Sequence, residues 1–440
     1  MPGQTLTVRP ARAFAGTLRV PGDKSVSHRY VLLGAIARGR TRVAGLSSGA
    51  DVASSCACVT ALGARVDGIH QSGRWSGGDV TIDGRGWAGL TRPGAALDAG
   101  NSGTSMRLIA GLVAGRPFRT VLIGDDSLSR RPMRRVLDPL AAMGAGVASV
   151  DGHAPITIEG GPLVAVTWRT PVASAQVKSA VMLAALSAVG TTTITEPLRT
   201  RDHTERAFPA FGLTCRTSDR SVEVPGGQEA VAPSAVLTVP GDPSSAAVWA
   251  AAAAGLGGGS IRVEGLGLNP RRLGFARVLE RMGARVTIDQ DAETAGEPVG
   301  TLRVEHGGHR ATVISADEVP DLVDELPVLA ARAALGGSLE VSGAGELRLK
   351  ESDRITALVA GLRALGVAAD ERPDGFVVDG SRRPSGGVAD AAGDHRLVMA
   401  FAIVGLGATG PTTVEDAGAV GVSYPDFARD LAALTSSFSA

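Results

Sequence analysis

Cysteine is scarce in this chain: Cys56, Cys58 and Cys215 are the only three, none forms a C-x-x-C pair, and the first two fall in a helical pattern from Asp51 to Leu62. That excludes a disulfide framework and fits small buried thiols in a reduced, cytoplasmic setting. Aromatic side chains are few as well. Two tyrosines and four tryptophans give no row of stacking platforms, and 44 basic against 44 acidic residues leave no general positive field, so nucleic acid is not an expected partner. Long hydrophobic runs are absent. Ala246 to Leu256 and Leu397 to Leu406 fall short of a membrane span, and Met1 to Phe14 lacks the apolar stretch of a secretory leader. No pair of histidines has zinc-ligand spacing; His28, His203 and His395 read as hydrogen-bonded structural partners. Any positive site in so neutral a chain must be built locally.

Glycine, by contrast, is abundant: 59 of 440 residues, roughly double ordinary usage, set at junctions between strands and helices. Six times, about 70 to 80 residues apart, the pattern predicts a helix opening on a polar cluster and running through an Ala/Leu-rich stretch to a short strand. The openings are Lys24-Ser25, Gly103-Thr104, Ser174-Ala175-Gln176, Ser244-Ser245, Asp324-Glu325 and Asp394-His395-Arg396. Second helices follow, the first five ending alike, as in Leu62-Gly63-Ala64 and Met282-Gly283-Ala284. Each repeat reads as β-α-β-α-β-β. The expected fold is α/β, with two similar domains of three such repeats, helices facing inward as in an inside-out α/β barrel, joined by a hinge near Val239-Pro240-Gly241. The expected boundaries are 20–238 and 239–440, with residues 1–19 completing the second domain.

A helix start carries unpaired N–H groups and a partial positive charge, so repeated starts can be aimed at one anion. Pro21 to Arg29 sets an ammonium, a hydroxyl and a guanidinium within about one and a half turns of such a start. The other reading is Ser25 as a plain N-cap with Lys24 and Arg29 in solvent. Leu97 to Arg107 is a Gly/Ser loop able to close on a ligand with backbone N–H groups. Arg131, Arg201, Lys350 and Arg354 stand near predicted second-helix starts, where the dipole disfavours cations, which points to an anionic partner.

These strings, together with Pro171 to Lys178, Thr200 to Glu205 and Val323-Asp324-Glu325, resemble the EPSP synthase family in order along nearly the whole chain. The resemblance implies transfer of an enolpyruvyl group from phosphoenolpyruvate to the 5-hydroxyl of shikimate 3-phosphate, with no metal or organic cofactor, by a monomer. It implies a shikimate 3-phosphate site of Lys24, Ser25, Arg29, Ser174, Ala175, Gln176, Arg201, Asp324 and Lys350. It implies a phosphoenolpyruvate site of Lys24, Gly103, Arg131, Gln176, Arg354 and Arg396. The catalytic set would be Asp324 as base, Glu351 as acid at the methylene carbon, Lys350 as proton carrier, and Lys24. Helix capping is the other reading of Asp324.

Two departures from the family pattern stand out. Relatives with a Lys-Thr-Phe/Leu-Pro pattern near the C-terminus use its lysine on phosphoenolpyruvate, whereas this chain reads Gly421 to Phe427 without one. Ala175 stands where some relatives have a second serine. The related transfer to a UDP-amino sugar is the competing activity, but its loop cysteine and Lys-Asn opening are missing here.

Overall fold

Five of the six predicted helices begin on a side chain that accepts a hydrogen bond from the first turn. The computed structural model describes residues 3–68, 70, 71, 74, 75 and 77–435. Its opening helices are α1 Lys24–Ile36, α2 Gly103–Ala114, α3 Ala175–Ala185, α4 Pro243–Gly255, α5 Leu326–Ala334 and α6 His395–Gly407. Asp23, Ser102, Ser174, Asp242 and Asp394 are the capping residues of α1, α2, α3, α4 and α6. Glu325 precedes α5 without such a bond. Asp23, not Ser25, caps α1, so the plain N-cap reading of Ser25 fails.

By contacts the chain divides into two units, Gly22–Pro240 with Glu293–Glu297, and Met1–Pro21 with Gly241–Ala292 and Pro298–Ala440. Each has its own apolar core. In the 241–440 unit α4, α5 and α6 pack on one another, and all thirteen residues of α4 are buried. A helix that is apolar all round needs protein on every side, and the alanine run Ala246–Ala254 lets its neighbours approach. In the 22–240 unit α2 packs on both α1 and α3.

One sheet pattern recurs around these helices. A short strand lies parallel to the strand after each opening helix, and after the first five that strand pairs antiparallel with a later one, as in Leu97–Asp98, Arg119–Ile123, His153–Glu159 and Gly146–Val150. Thr312–Ile314, Ser338–Val341, Gly375–Asp379 and Ala368–Arg372 repeat it. The chain's early strands complete two such sheets: Ala15–Leu18 pairs with Ser260–Gly267, and Leu6–Val8 with Thr412–Glu415. The sheets are mixed and open, and none closes into a barrel among the described residues.

The contact of α2 with α3 sets where two helix starts lie, and it depends on a missing side chain. A Cβ on Gly111 would stand 2.1 Å from the Ala180 carbonyl oxygen, and backbone cannot move aside cheaply. Gly111→Val is therefore expected to cost about 1–3 kcal/mol, the usual range for overpacking. A urea midpoint equal to the parent's would show that the two helices are not held this close.

Candidate active site

In the 22–240 unit most of the predicted residues are held by hydrogen bonds, in several small groups. Lys24, the first residue of α1, donates from Nζ to Asp51 Oδ2 at 2.7 Å. One turn on, Arg29 is 4 % exposed and donates Nε to Thr204 Oγ1 (3.1 Å), Nη1 to the Ser25 carbonyl (3.0 Å) and Nη2 to Ser179 Oγ (2.8 Å). These are neutral acceptors, and burial pushes the Arg29 guanidinium down to about 10, still charged at neutral pH. Arg29 is thus not the solvated side chain of the rival reading.

The start of α2 is built around bare backbone. A Cβ at Gly103 would lie 2.7 Å from Arg107 Nη1, which would have to shift, and in ordinary contact with Arg131 Nη1 at 3.5 Å. Arg131 Nη2 donates to Asn101 Oδ1 (3.0 Å) and Ser127 Oγ (3.2 Å). It does not open a second helix as expected: a helical turn covers Asp126–Ser129, the next helix is Arg134–Ala142, and Arg131 sits in the link. Two acceptors fix its direction where a helix dipole would not. Arg201 likewise precedes the short helix His203–Ala207 by two residues.

At the start of α3, Ser174 Oγ accepts from Val177 N–H at 3.4 Å, which leaves its own hydroxyl proton for a ligand. Ala175 opens the helix with a backbone N–H of the kind that has no partner inside a helix. Gln176 is oriented from both ends, Oε1 accepting from Arg107 Nη1 (2.6 Å) and Nε2 donating to Thr104 Oγ1 (2.8 Å).

The 241–440 unit gathers the remaining residues differently, around carboxylates. Arg354 opens the helix Arg354–Ala364, is fully buried, and donates Nε to Asp394 Oδ2 at 2.7 Å and Nη2 to Glu351 Oε2. Burial opposes its charge, but Asp394, Glu351 and Asp324 outweigh that and raise its pKa above the ordinary guanidinium value. Lys350 Nζ lies 3.4 Å from Asp324 Oδ1, and Arg354 Nη1 lies 3.9 Å from the same oxygen. Asp324 is therefore an ion-pair partner and caps no helix, since Glu325 occupies the position before α5. Glu325 pairs with Arg396 at 3.9 Å and accepts from Ser244 Oγ, which explains why it makes no capping bond.

Sequence reasoning picked the cations and missed their anchors. Asp51, Arg107, Glu325 and Asp394 bind the predicted residues directly; Glu325 and Asp394 were marked only as helix openings and Arg107 only as the end of the Gly/Ser loop, and nothing in the spacing marked Asp51. Among the described residues no group of three or more His, Cys, Asp or Glu could hold a metal ion, and no helix is long and apolar enough to cross a membrane.

Solved structures first define the fold. The enolpyruvyl transferase NikO from Streptomyces tendae shares it, with a TM-score of 0.77 at 20 % identity and 98 % of each chain covered. EPSP synthase from Acinetobacter baumannii matches with a TM-score of 0.84 at 38 % identity, again with 98 % of each chain covered. In sequence, residues 8–431 match the family described as EPSP synthase (3-phosphoshikimate 1-carboxyvinyltransferase). The 3-phosphoshikimate 1-carboxyvinyltransferase of Alkalilimnicola ehrlichii is 47 % identical, covering 96 % of this chain and 93 % of its own length, and that of Shouchella clausii is 43 % identical, covering 96 % of each. This chain belongs to the EPSP synthase family of enzymes.

One buried group beside these residues has its ordinary pKa, that of the unfolded chain, in an accessible range. His28, on α1, is fully buried with Nδ1 2.8 Å from Ser55 Oγ, and burial, aided by Lys24 and Arg29, holds its pKa well below the usual 6.5. The unfolded chain takes up a proton below that value and the folded one does not, so stability falls as pH drops through 6.5, by up to about 1.4 kcal/mol per unit for one proton. His28→Asn should flatten this slope between pH 7.5 and 5.5 in urea unfolding. An unchanged slope would mean that folded His28 accepts the proton.

Proposed function

We propose that this enzyme transfers the enolpyruvyl group of phosphoenolpyruvate to the 5-hydroxyl of shikimate 3-phosphate, giving 5-enolpyruvylshikimate 3-phosphate and inorganic phosphate, in the shikimate pathway. It does so as a cytoplasmic monomer with no metal or organic cofactor, and nucleic acid is not a partner. On this reading the two units are three-repeat domains with α1–α3 and α4–α6 facing inward, and both residue clusters act on the same pair of substrates. The single observation that carries it is the set of Asp324, Lys350, Glu351 and Arg354, in which two carboxylates share one buried guanidinium and one of them also pairs with an ammonium.

Two phosphates and one carboxylate bring about five negative charges together. At an effective dielectric of 20, two unit charges 4 Å apart already repel by about 4 kcal/mol. Lys24, Ser25, Arg29, Ser174, Ala175, Gln176 and Arg201 would take the shikimate 3-phosphate, along with Asp324 and Lys350. Lys24, Gly103, Arg131 and Gln176 would take the phosphate of phosphoenolpyruvate, and the forked Arg354 and Arg396 suit its carboxylate.

Asp324 accepts the proton of the 5-hydroxyl as that oxygen bonds to C2 of phosphoenolpyruvate, while Glu351 protonates the methylene carbon. The product is a tetrahedral intermediate with a new methyl group. Loss of a methyl proton and of phosphate then restores the double bond, with Lys350 carrying a proton near the bridging oxygen and Lys24 countering charge on the leaving phosphate. The ion pairs of Glu351 favour its ionised form, so its use as an acid depends on the negative charge of bound substrates.

Phosphate should be released when both substrates are mixed with the enzyme, and not when either is omitted. Release from phosphoenolpyruvate with UDP-N-acetylglucosamine alone would instead assign the amino-sugar reaction. Asp324→Asn and Glu351→Gln should each lower kcat about 10²- to 10⁴-fold, the range for a general acid or base. Full turnover by Glu351→Gln would remove the acid role from that residue.

A further inference from the structure

Lys178 lies on α3 one turn beyond Ser174, and its ammonium is nearly buried between two carboxylates that are nearly buried too. Nζ is 2.9 Å from Glu196 Oε2 and 2.8 Å from Glu205 Oε1, with side-chain exposures of 5 %, 5 % and 8 % for the three residues. Burial opposes the charge of Lys178, but Glu205 and Glu196 outweigh it and raise its pKa above the usual lysine value. A buried ion triad is poor value for stability alone, because well-packed apolar side chains of similar volume often do as well or better. What such a triad supplies is geometry.

The geometry here concerns Arg201. Glu196 follows the strand Thr191–Thr195, and its Oε1 accepts from Thr200 Oγ1, on the residue just before Arg201. Glu205 is on the short helix His203–Ala207, just after Arg201. Thr204 Oγ1 donates to Ser179 Oγ at 2.8 Å, and Ser179 is the neighbour of Lys178 and an acceptor for Arg29. The segment carrying Arg201 is therefore tied at both ends to the first turns of α3, the helix that begins with Ser174, Ala175 and Gln176.

We infer that Lys178 is a positioning residue, whose ion pairs with Glu196 and Glu205 hold the Arg201 segment in register with the start of α3 so that both meet the phosphate of shikimate 3-phosphate. The inference rests on the proposed reaction and deepens it by naming what sets that subsite. Lys178 touches no substrate itself; removing it lets Arg201 and the Ser174 start drift apart, and an anion-binding site loses affinity steeply with small displacements of its donors.

The test is steady-state kinetics of Lys178→Met, Lys178→Arg and Glu205→Gln beside the parent, each first shown to be folded by circular dichroism. Lys178→Met should raise KM for shikimate 3-phosphate about tenfold or more while kcat and KM for phosphoenolpyruvate stay within about threefold, the pattern of lost binding rather than lost chemistry. Lys178→Arg should recover part of the loss, and Glu205→Gln, which removes one of the two ion pairs and keeps the shape, should raise the same KM by a smaller factor. Should Lys178→Met fail to fold, Glu205→Gln decides. A merely structural role would lower the unfolding midpoint and leave the KM of the folded fraction unmoved, which overturns the inference. A parent that releases no phosphate overturns the proposed reaction and this assignment with it, whereas an active parent with unmoved KM values in its folded variants overturns the assignment alone.

Discussion

Taking a guanidinium or ammonium out of water costs several kcal/mol unless oxygens replace the lost hydration, and which oxygens do so decides what the cation can do next. In the 22–240 unit Arg29 is held by two hydroxyls and a carbonyl, so its position is fixed by neutral acceptors, while the carboxylates of Glu205, Asp23 and Glu297 act on its charge through space. In the 241–440 unit Arg354 is held by the carboxylates of Asp394 and Glu351, so most of its charge is answered before any ligand arrives. The first arrangement suits binding of phosphate. The second suits proton chemistry, because carboxylates held beside cations change their protonation when a negatively charged substrate enters the same network.

The helix caps follow the same division. Ser102 and Ser174 cap α2 and α3; Ser102 is fully buried and also accepts from Ser105 Oγ at 2.8 Å, whereas the partly exposed Ser174 still has a proton to donate to a ligand. Asp242, Glu325 and Asp394 precede α4, α5 and α6, and carboxylates there answer the positive end of each helix dipole internally. Asp23 at α1 is the exception in its unit, and there Lys24 and Arg29 follow within the first two turns. A helix start is therefore not an anion site by itself; the capping residue determines whether the positive end is offered or already used.

Much of the local structure was legible in the sequence because its signals are local. The polar opening of each helix, the Ala/Leu run and the Gly turn after it lie within one stretch of chain, and α1 to α6 begin within a residue or two of those signals. What could not be read is long-range. Asp51 is 27 residues from Lys24, and Asp394 is 40 from Arg354, and neither separation has a period that local patterning could reveal. Lys24, Arg354 and Arg396, read along the chain as free positive charge, therefore overstated it, since their pairing with Asp51, Asp394 and Glu325 appears only when the fold joins them. Arg131 was misread for a related reason: Asp125 caps a helical turn that ends at Ser129, so the expected helix start falls too early. Lys178 is likewise 18 and 27 residues from its partners Glu196 and Glu205.

The stretch from Gly421 to Phe427, which lacks the lysine of the family pattern, is committed to the core of its unit. Tyr424 and Phe427 are fully buried here, and both pack on Trp249 of α4, with ring centroids 5.9 Å and 5.0 Å away. Trp249 Nε1 donates to Tyr424 Oη at 3.0 Å, and Tyr424 Oη donates to Asp430 Oδ2 at 2.7 Å, so this aromatic cluster is satisfied in its polar atoms as well as its rings. Phe14, stacked on Trp249 at 6.5 Å, ties the beginning of the chain into the same cluster. A segment anchored by two aromatic rings and a buried hydroxyl chain cannot swing to follow a ligand without breaking the core of its unit. On the proposed reaction, charge for the phosphate would come from residues held independently of that cluster: Lys24 and Arg131, with Gln176 as a neutral donor, are each tied to their own partners in the 22–240 unit.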